Sequence, residues 1–222
     1  KNYYYLNHMW FKVVIYLLMF FSYNSTPARP ISYVGGWTLM QKNDYNQNSF
    51  HLHYSPSVNY SIGYRAEYWR TDHWQFHGAQ LNYLLKRINK PKSQTNLYLR
   101  NGLGLSYSDN MELENKIEPS IFSGIAFDWE DRRFYTSYEN RVHFSPKIHS
   151  FYNQKAKIGL APYVGEYGDL HTWLLFQIEH MPKSDAKQLI LTPLIRMFKG
   201  DILGEFGYSN SGDFILNFIK RF

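Results

Sequence analysis

Apolar side chains in this chain recur at every second position, in one segment after another. In residues 59–70, Tyr60, Ile62, Tyr64, Ala66 and Tyr68 share one face, while Ser61, Gly63, Arg65, Glu67 and Trp69 share the other. Successive side chains of an extended strand point to opposite faces, so this is the pattern of a strand with one apolar and one polar side. Residues 96–107 repeat it, with Leu97, Leu99, Leu103 and Leu105 opposing Tyr98, Arg100, Gly102, Gly104 and Ser106. In residues 120–129, Ile121, Ile125, Phe127 and Trp129 oppose Gly124, Ala126 and Asp128. In residues 133–144, Phe134, Tyr138, Val142 and Phe144 oppose Ser137, Glu139, Arg141 and His143. In residues 202–209, Ile202, Phe206 and Tyr208 oppose Leu203, Glu205, Gly207 and Ser209. Less regular strands fall near 74–86, 152–164, 170–181 and 189–198, and short ones near 37–41 and 49–54. No segment of helical period reaches a useful length, so the chain is predicted to be all-β, with about twelve strands and ten as the alternative.

Two architectures hide such apolar faces. A soluble sandwich buries them against a second sheet, whereas a membrane barrel turns them to lipid and points the charges inward. Composition favours the barrel. Aromatics make up 19% of the 222 residues, with 20 Tyr, 16 Phe and 6 Trp. Mean hydropathy is nevertheless negative, which excludes a helical membrane protein. Trp37, Trp69, Trp74, Trp129 and Trp173 fall near predicted strand ends, where amphipathic rings settle at a membrane–water boundary. The formal charge of +6 is diffuse, with no basic block interleaved with aromatics, so no nucleic-acid partner is expected. There is no Cys, so disulfide and thiolate chemistry are absent.

Residues 9–28 read as a signal peptide: Met9, Trp10, Phe11 and Lys12, then the apolar run 13–21, then a small and polar stretch ending in Thr26-Pro27-Ala28. The run is too short to span a bilayer as a helix. Residues 1–8 carry no pattern and read as an untranslated or unstructured extension, leaving 29–222 as one barrel domain.

The chain ends on Phe214, Leu216, Phe218 and Phe222, alternating with Ile215, Asn217, Ile219 and Arg221. This end resembles the C-terminal strand of Gram-negative outer-membrane β-barrel proteins. Lys220 departs from that pattern, in which an apolar or aromatic residue is usual. The resemblance is to the class and to no particular family within it. It implies a single antiparallel transmembrane β-barrel in the bacterial outer membrane. It also implies outer-membrane lipid as surroundings, and assembly machinery that reads the terminal Phe as a signal.

With both chain ends in the periplasm, short turns are expected there at 56–57, 130–131, 165–168 and 199–201, with one long polar connection at 87–93. The outer loops, at 43–48, 71–72, 108–116, 145–150, 182–187 and 210–212, are too short for a large receptor surface. A parity change at Gly78-Ala79 predicts a bulge.

The candidate site is the lumen. Arg65, Glu67, Arg100, Asp128, Glu139, Arg141, Arg196, Glu205 and Arg221 all fall on inward faces. Such groups either brace the lumen as ion pairs or line an aqueous path that biases which small solutes or ions pass. A narrow channel or transport-associated barrel is therefore the leading expectation. Lumenal metal binding or export support is the second. His51 and His53 share a face, His73 and His77 oppose Trp74 and Phe76, and His171 lies on the side of Glu179 and Met181, a donor set suited to a copper-like ion. A resident cofactor is not expected. The fragment His53-Tyr54-Ser55 resembles the His-x-Ser arrangement of some outer-membrane lipid hydrolases. Pro56 places Ser55 at a turn, however, and no third triad member is identifiable, so the reading leans away from an enzyme.

Overall fold

The computed structural model describes residues 31–109, 116–166, 168–182 and 188–222. The expected signal peptide and N-terminal extension lie outside these residues. Twelve strands follow one another: β1 (Trp37–Asn43), β2 (Gln47–Tyr54), β3 (Tyr60–Trp69), β4 (Trp74–Lys90), β5 (Ser93–Ser108), β6 (Ile117–Asp131), β7 (Phe134–Phe144), β8 (Phe151–Leu160), β9 (His171–His180), β10 (Leu189–Lys199), β11 (Ile202–Tyr208) and β12 (Phe214–Arg221). Each pairs antiparallel with its neighbours in sequence, and β1 pairs with β12 to close the barrel, Met40 facing Ile219 and Gln41 facing Phe218. The fold is thus the expected all-β barrel, with twelve strands rather than ten. Closure leaves no strand edge, so ladder N–H and C=O groups find partners all the way round.

The alternation read from the sequence sorts side chains as a barrel requires. Leu103, Ile121, Ile195, Phe206 and Leu216 lie exposed on the outer wall. Tyr98, Phe122, Glu67, Glu205 and Asn217, at positions of opposite parity, are buried inside. An outer wall this largely apolar suits acyl chains better than water.

β1 starts and β12 ends at one mouth, where Trp37 N donates to Phe222 O at 2.7 Å and Phe222 N donates to Trp37 O at 3.1 Å. We call this the terminal mouth and the opposite one the far mouth. Most turns at the terminal mouth are tight; the exception is the β8–β9 connection, residues 161–170, longer than the short turn expected at 165–168. Asp131 Oδ1 accepts from the backbone N–H groups of Arg133 and Phe134, both at 2.6 Å, which folds the chain from β6 into β7 at 132–133, two residues later than expected. Between β10 and β11, Gly200 takes a φ of +60°, a left-handed conformation that glycine adopts without strain.

Two expectations about β4 and β5 are corrected. The parity does not change at Gly78-Ala79. The register shift lies between Leu84 and Lys86. Nor is 87–93 a long connection: β4 runs to Lys90, β5 starts at Ser93, and Lys90 pairs with Ser93 across a tight turn. Polar residues misled the sequence reading because this hairpin rises past the apolar band, where polar side chains suit both faces.

If the outer wall is lipid-embedded, Ile195→Arg, midway along β10, should destabilise the barrel by about 2–4 kcal/mol in urea unfolding from phospholipid vesicles. A neutral effect would fit a water-exposed wall instead.

Candidate functional site

The lumen is built in layers, and the far mouth is filled by aromatic rings. Trp69 ends β3 and Trp74 opens β4, so the two indoles face each other across the hairpin, stacked with centroids 5.3 Å apart and planes 9° from parallel. Phe151, the first residue of β8, lies 4.7 Å from Trp69. Phe76 and Phe122 meet edge to face at 5.6 Å, and Met181 completes the cluster. Tyr45 and Ile148, from the loops after β1 and β7, pack over it. Tyr45 Oη reaches Met181 Sδ at 3.1 Å. Burial, with the charge of Glu179 adding to it, raises the pKa of this phenol and keeps it protonated. His143 stacks on Phe151 with centroids 5.2 Å apart. The indoles are only 3% and 1% exposed, so the rings close this end. Phe122 can lie so deep because Gly102 has no Cβ, which would sit 2.1 Å from the ring.

Beneath the rings lies a charged floor. Glu67 accepts from Arg141 Nη1 at 2.6 Å and Nη2 at 2.7 Å, and from Arg65 Nε at 2.6 Å. Both guanidinium groups lie over the Phe122 ring, at 4.2 Å for Arg141 and 4.9 Å for Arg65. Glu67 is on β3 and Arg141 on β7, so this pair crosses the lumen. Arg65 Nη1 continues the network to Gln80 Oε1 at 3.0 Å, and Gln80 Nε2 donates to Asn82 Oδ1 at 2.6 Å.

Other carboxylates form further crossings. Glu205 on β11 is held by Arg196 Nε at 2.8 Å, Lys157 Nζ at 2.9 Å and Asn217 Nδ2 at 2.7 Å, and Lys157 reaches it from β8. Arg100 on β5 pairs with Glu139 on β7 at 2.6 Å. Lys155 pairs with Glu179 at 3.1 Å and approaches Asp44 at 3.8 Å. Toward the terminal mouth, Arg87 Nε donates to Asn96 Oδ1 and Asn96 Nδ2 to Asp128 Oδ1, each at 2.7 Å. Arg221 is buried among inward residues of β12. Between these groups runs a cavity of about 440 Å³. It extends from Trp69 and Phe151 to Asp131, Arg132 and His171 at the terminal mouth.

All nine charged residues singled out in the sequence therefore point inward, but they form several clusters rather than one network. Lys42, Asp44, Lys155 and Lys157 were missed. The alternation of Lys155 and Lys157 with Ala156 and Ile158 carried the signal for two of them.

The histidines are not brought together. His51 and His53 sit in the lumen, with ring centroids 5.8 Å apart. His77 is on the outer wall, its Nδ1 2.6 Å from Tyr64 Oη, and His73 lies in the β3–β4 turn with a φ of 51°. Trp74 and Phe76, expected on the lipid side, are the inward residues of this strand. His171 opens β9 and Met181 lies just past its last residue, near the opposite mouth. Among the described residues no group of three or more His, Asp or Glu is placed to hold a metal ion. Ser55 Oγ accepts from the backbone N–H of Ser32 at 2.9 Å and is itself fully buried, which leaves it without the exposure a nucleophile needs. Of the five tryptophans expected at the boundary, Trp37 and Trp129 face outward, whereas Trp69, Trp74 and Trp173 line the interior.

Among solved structures, the fold is similar to that of the KdgM porin, at 7% identity and a TM-score of 0.49, covering 84% of this chain and 98% of that one. It is also similar to LpxR from Salmonella typhimurium, at 8% identity and a TM-score of 0.46, covering 84% and 99%. A NanC porin aligns at 9% identity and a TM-score of 0.42, covering 84% and 97%. No protein-family model and no curated protein matches the chain.

Glu67→Ala should cost about 3 kcal/mol or more in vesicle unfolding, because it strands Arg65 and Arg141 in a crowded interior. Replacing all three residues together, Arg65→Met, Glu67→Leu and Arg141→Met, should recover most of that loss.

Proposed function

We propose that this protein is an exported barrel of the bacterial outer membrane, and that its lumen is a narrow, gated path for small solutes or ions, with a preference for anions. The observation that carries this reading is the charged cavity that runs along the barrel axis and stops against the aromatic cluster at the far mouth. A lumen that served only as filler would be packed without such a space.

The preference for anions follows from how the charges are shared. Glu67 is served by two arginines, and Glu205 by a lysine and an arginine. Lys42 also points inward, and no carboxylate lies within ion-pair distance of it among the described residues. Among the described residues, two carboxylates share one cation only at Lys155. A passing anion therefore meets cations whose charge the protein does not fully cancel. The outward placement of Phe214, Leu216, Phe218 and Phe222 beside the closing seam supports their reading as the signal for barrel assembly.

Planar-bilayer recording of the refolded protein tests the channel. We expect small, infrequent openings whose reversal potential in a salt gradient favours anions. Trp69→Ala with Trp74→Ala should raise the open fraction severalfold by thinning the rings at the far mouth. Absence of conductance in both proteins would overturn the channel reading. Cation preference in the open variant would overturn the charge argument.

A further inference from the structure

The outer wall is not apolar throughout. On β5, Asn101 points outward between Leu99 and Leu103. On β6, Ser123 lies between Ile121 and Ile125, and on β7, Asn140 lies between Tyr138 and Val142. Ser123 Oγ donates to Asn101 Oδ1 at 2.8 Å. Asn140 Oδ1 accepts from the backbone N–H of Ile125 at 2.9 Å. This side chain takes over where the ladder is interrupted: β6 and β7 pair at Ser123↔Val142 and resume at Ala126↔Glu139. A polar track continues around the wall. Tyr138 Oη donates to Gln154 Oε1 at 3.0 Å, and Gln154 Nε2 is 2.8 Å from His180 Nδ1.

Asn101, Ser123 and Asn140 lie within the apolar band and not at its rim. Toward the far mouth the same faces carry Leu103, Leu105, Ile121, Val142 and Phe144, all exposed. Toward the terminal mouth come Leu99, Ile125 and Phe127. The opposite side of the barrel shows Ile195, Phe206 and Leu216 facing outward. Acyl chains cannot hydrogen-bond, so amide and hydroxyl groups facing them are unfavourable. The amide protons of Asn101 meet no acceptor among the described residues.

Depth limits what can cover this patch. Headgroups and soluble partners do not reach the middle of the wall, and lipid tails offer nothing to bond. Another membrane-embedded wall does both. The patch is neutral, and its amides and hydroxyls each donate and accept, so it is complementary to itself under a two-fold rotation about the membrane normal. We infer that a second copy of this chain covers the β5–β7 face, with Asn101 and Ser123 hydrogen-bonding across the two-fold axis. This inference rests on the wall being membrane-embedded, which flotation of the same vesicles checks separately.

The native chain has no Cys, so single-cysteine cross-linking is clean. Leu103→Cys, beside the patch, and Phe206→Cys, on the opposite wall, are reconstituted at low density in phosphatidylcholine vesicles and oxidised. The first should give a disulfide-linked dimer, and the second should stay largely monomeric. Adding Asn101→Leu and Ser123→Ala to Leu103→Cys should lower dimer association by about tenfold, the scale of polar contacts between membrane-embedded segments. Equal cross-linking at the two positions would overturn the inference. So would no cross-linking at Leu103→Cys in protein that floats with its vesicles, or a dimer indifferent to loss of the polar pair.

Discussion

The hydrogen bonds between β1 and β12 are the constraint on which the rest of this molecule depends. In hydrocarbon an unpaired strand edge has no water to turn to, so an open sheet of this composition would not persist. Once the first and last strands pair, each side chain has one of only two addresses, lipid or lumen, and parity decides between them. Closing Met40 against Ile219 therefore also places Lys42, Asn217 and Arg221 inside.

The interior then faces a problem of its own. A closed barrel of this size surrounds more charge than one wall can neutralise locally, and a stranded ion would be costly. The protein meets this with contacts between strands that are not neighbours: β3 to β7 through Glu67 and Arg141, β5 to β7 through Arg100 and Glu139, and β8 to β11 through Lys157 and Glu205. Such contacts act as crossbars. They hold the cross-section in shape and narrow it at the same time. The aromatic cluster works differently. Its indole and phenyl rings fill the far mouth mainly by packing, with Arg65 and Arg141 set against the inner face of Phe122.

Much of this was legible in the sequence, because period two is a geometric property of a strand and survives any tertiary context. It put Arg65, Glu67, Arg141 and Glu205 on the correct face. It failed where hydrophobicity and parity point in opposite directions. Trp74 and Phe76 were taken for lipid-facing residues because they are apolar, and His77 for a lumenal one because it is polar. The structure inverts all three, since the lumen at that level is itself apolar. That error also created the false parity change at Gly78-Ala79 and hid the real one at Leu84 and Lys86. Which inward charges meet across the lumen depends on strand order and stagger. Those are properties of the closed ring, and a linear pattern does not encode them. Lys42 escaped notice because β1 is short and offers few alternations to read.

The wall of this barrel has unequal height. β4 and β5 run for 17 and 16 residues, whereas β1 and β11 run for 7. A bilayer has one thickness, and about ten residues per tilted strand suffice to cross it. The surplus length must therefore stand clear of the membrane on one side of the terminal mouth only, as a lip bearing Lys86, Lys90 and Lys92. That rim is tall along one arc, where these lysines stand beside Glu130 and Asp131 of β6, and low along the rest. The electrostatic surroundings of the mouth are thus uneven before the lumen is reached.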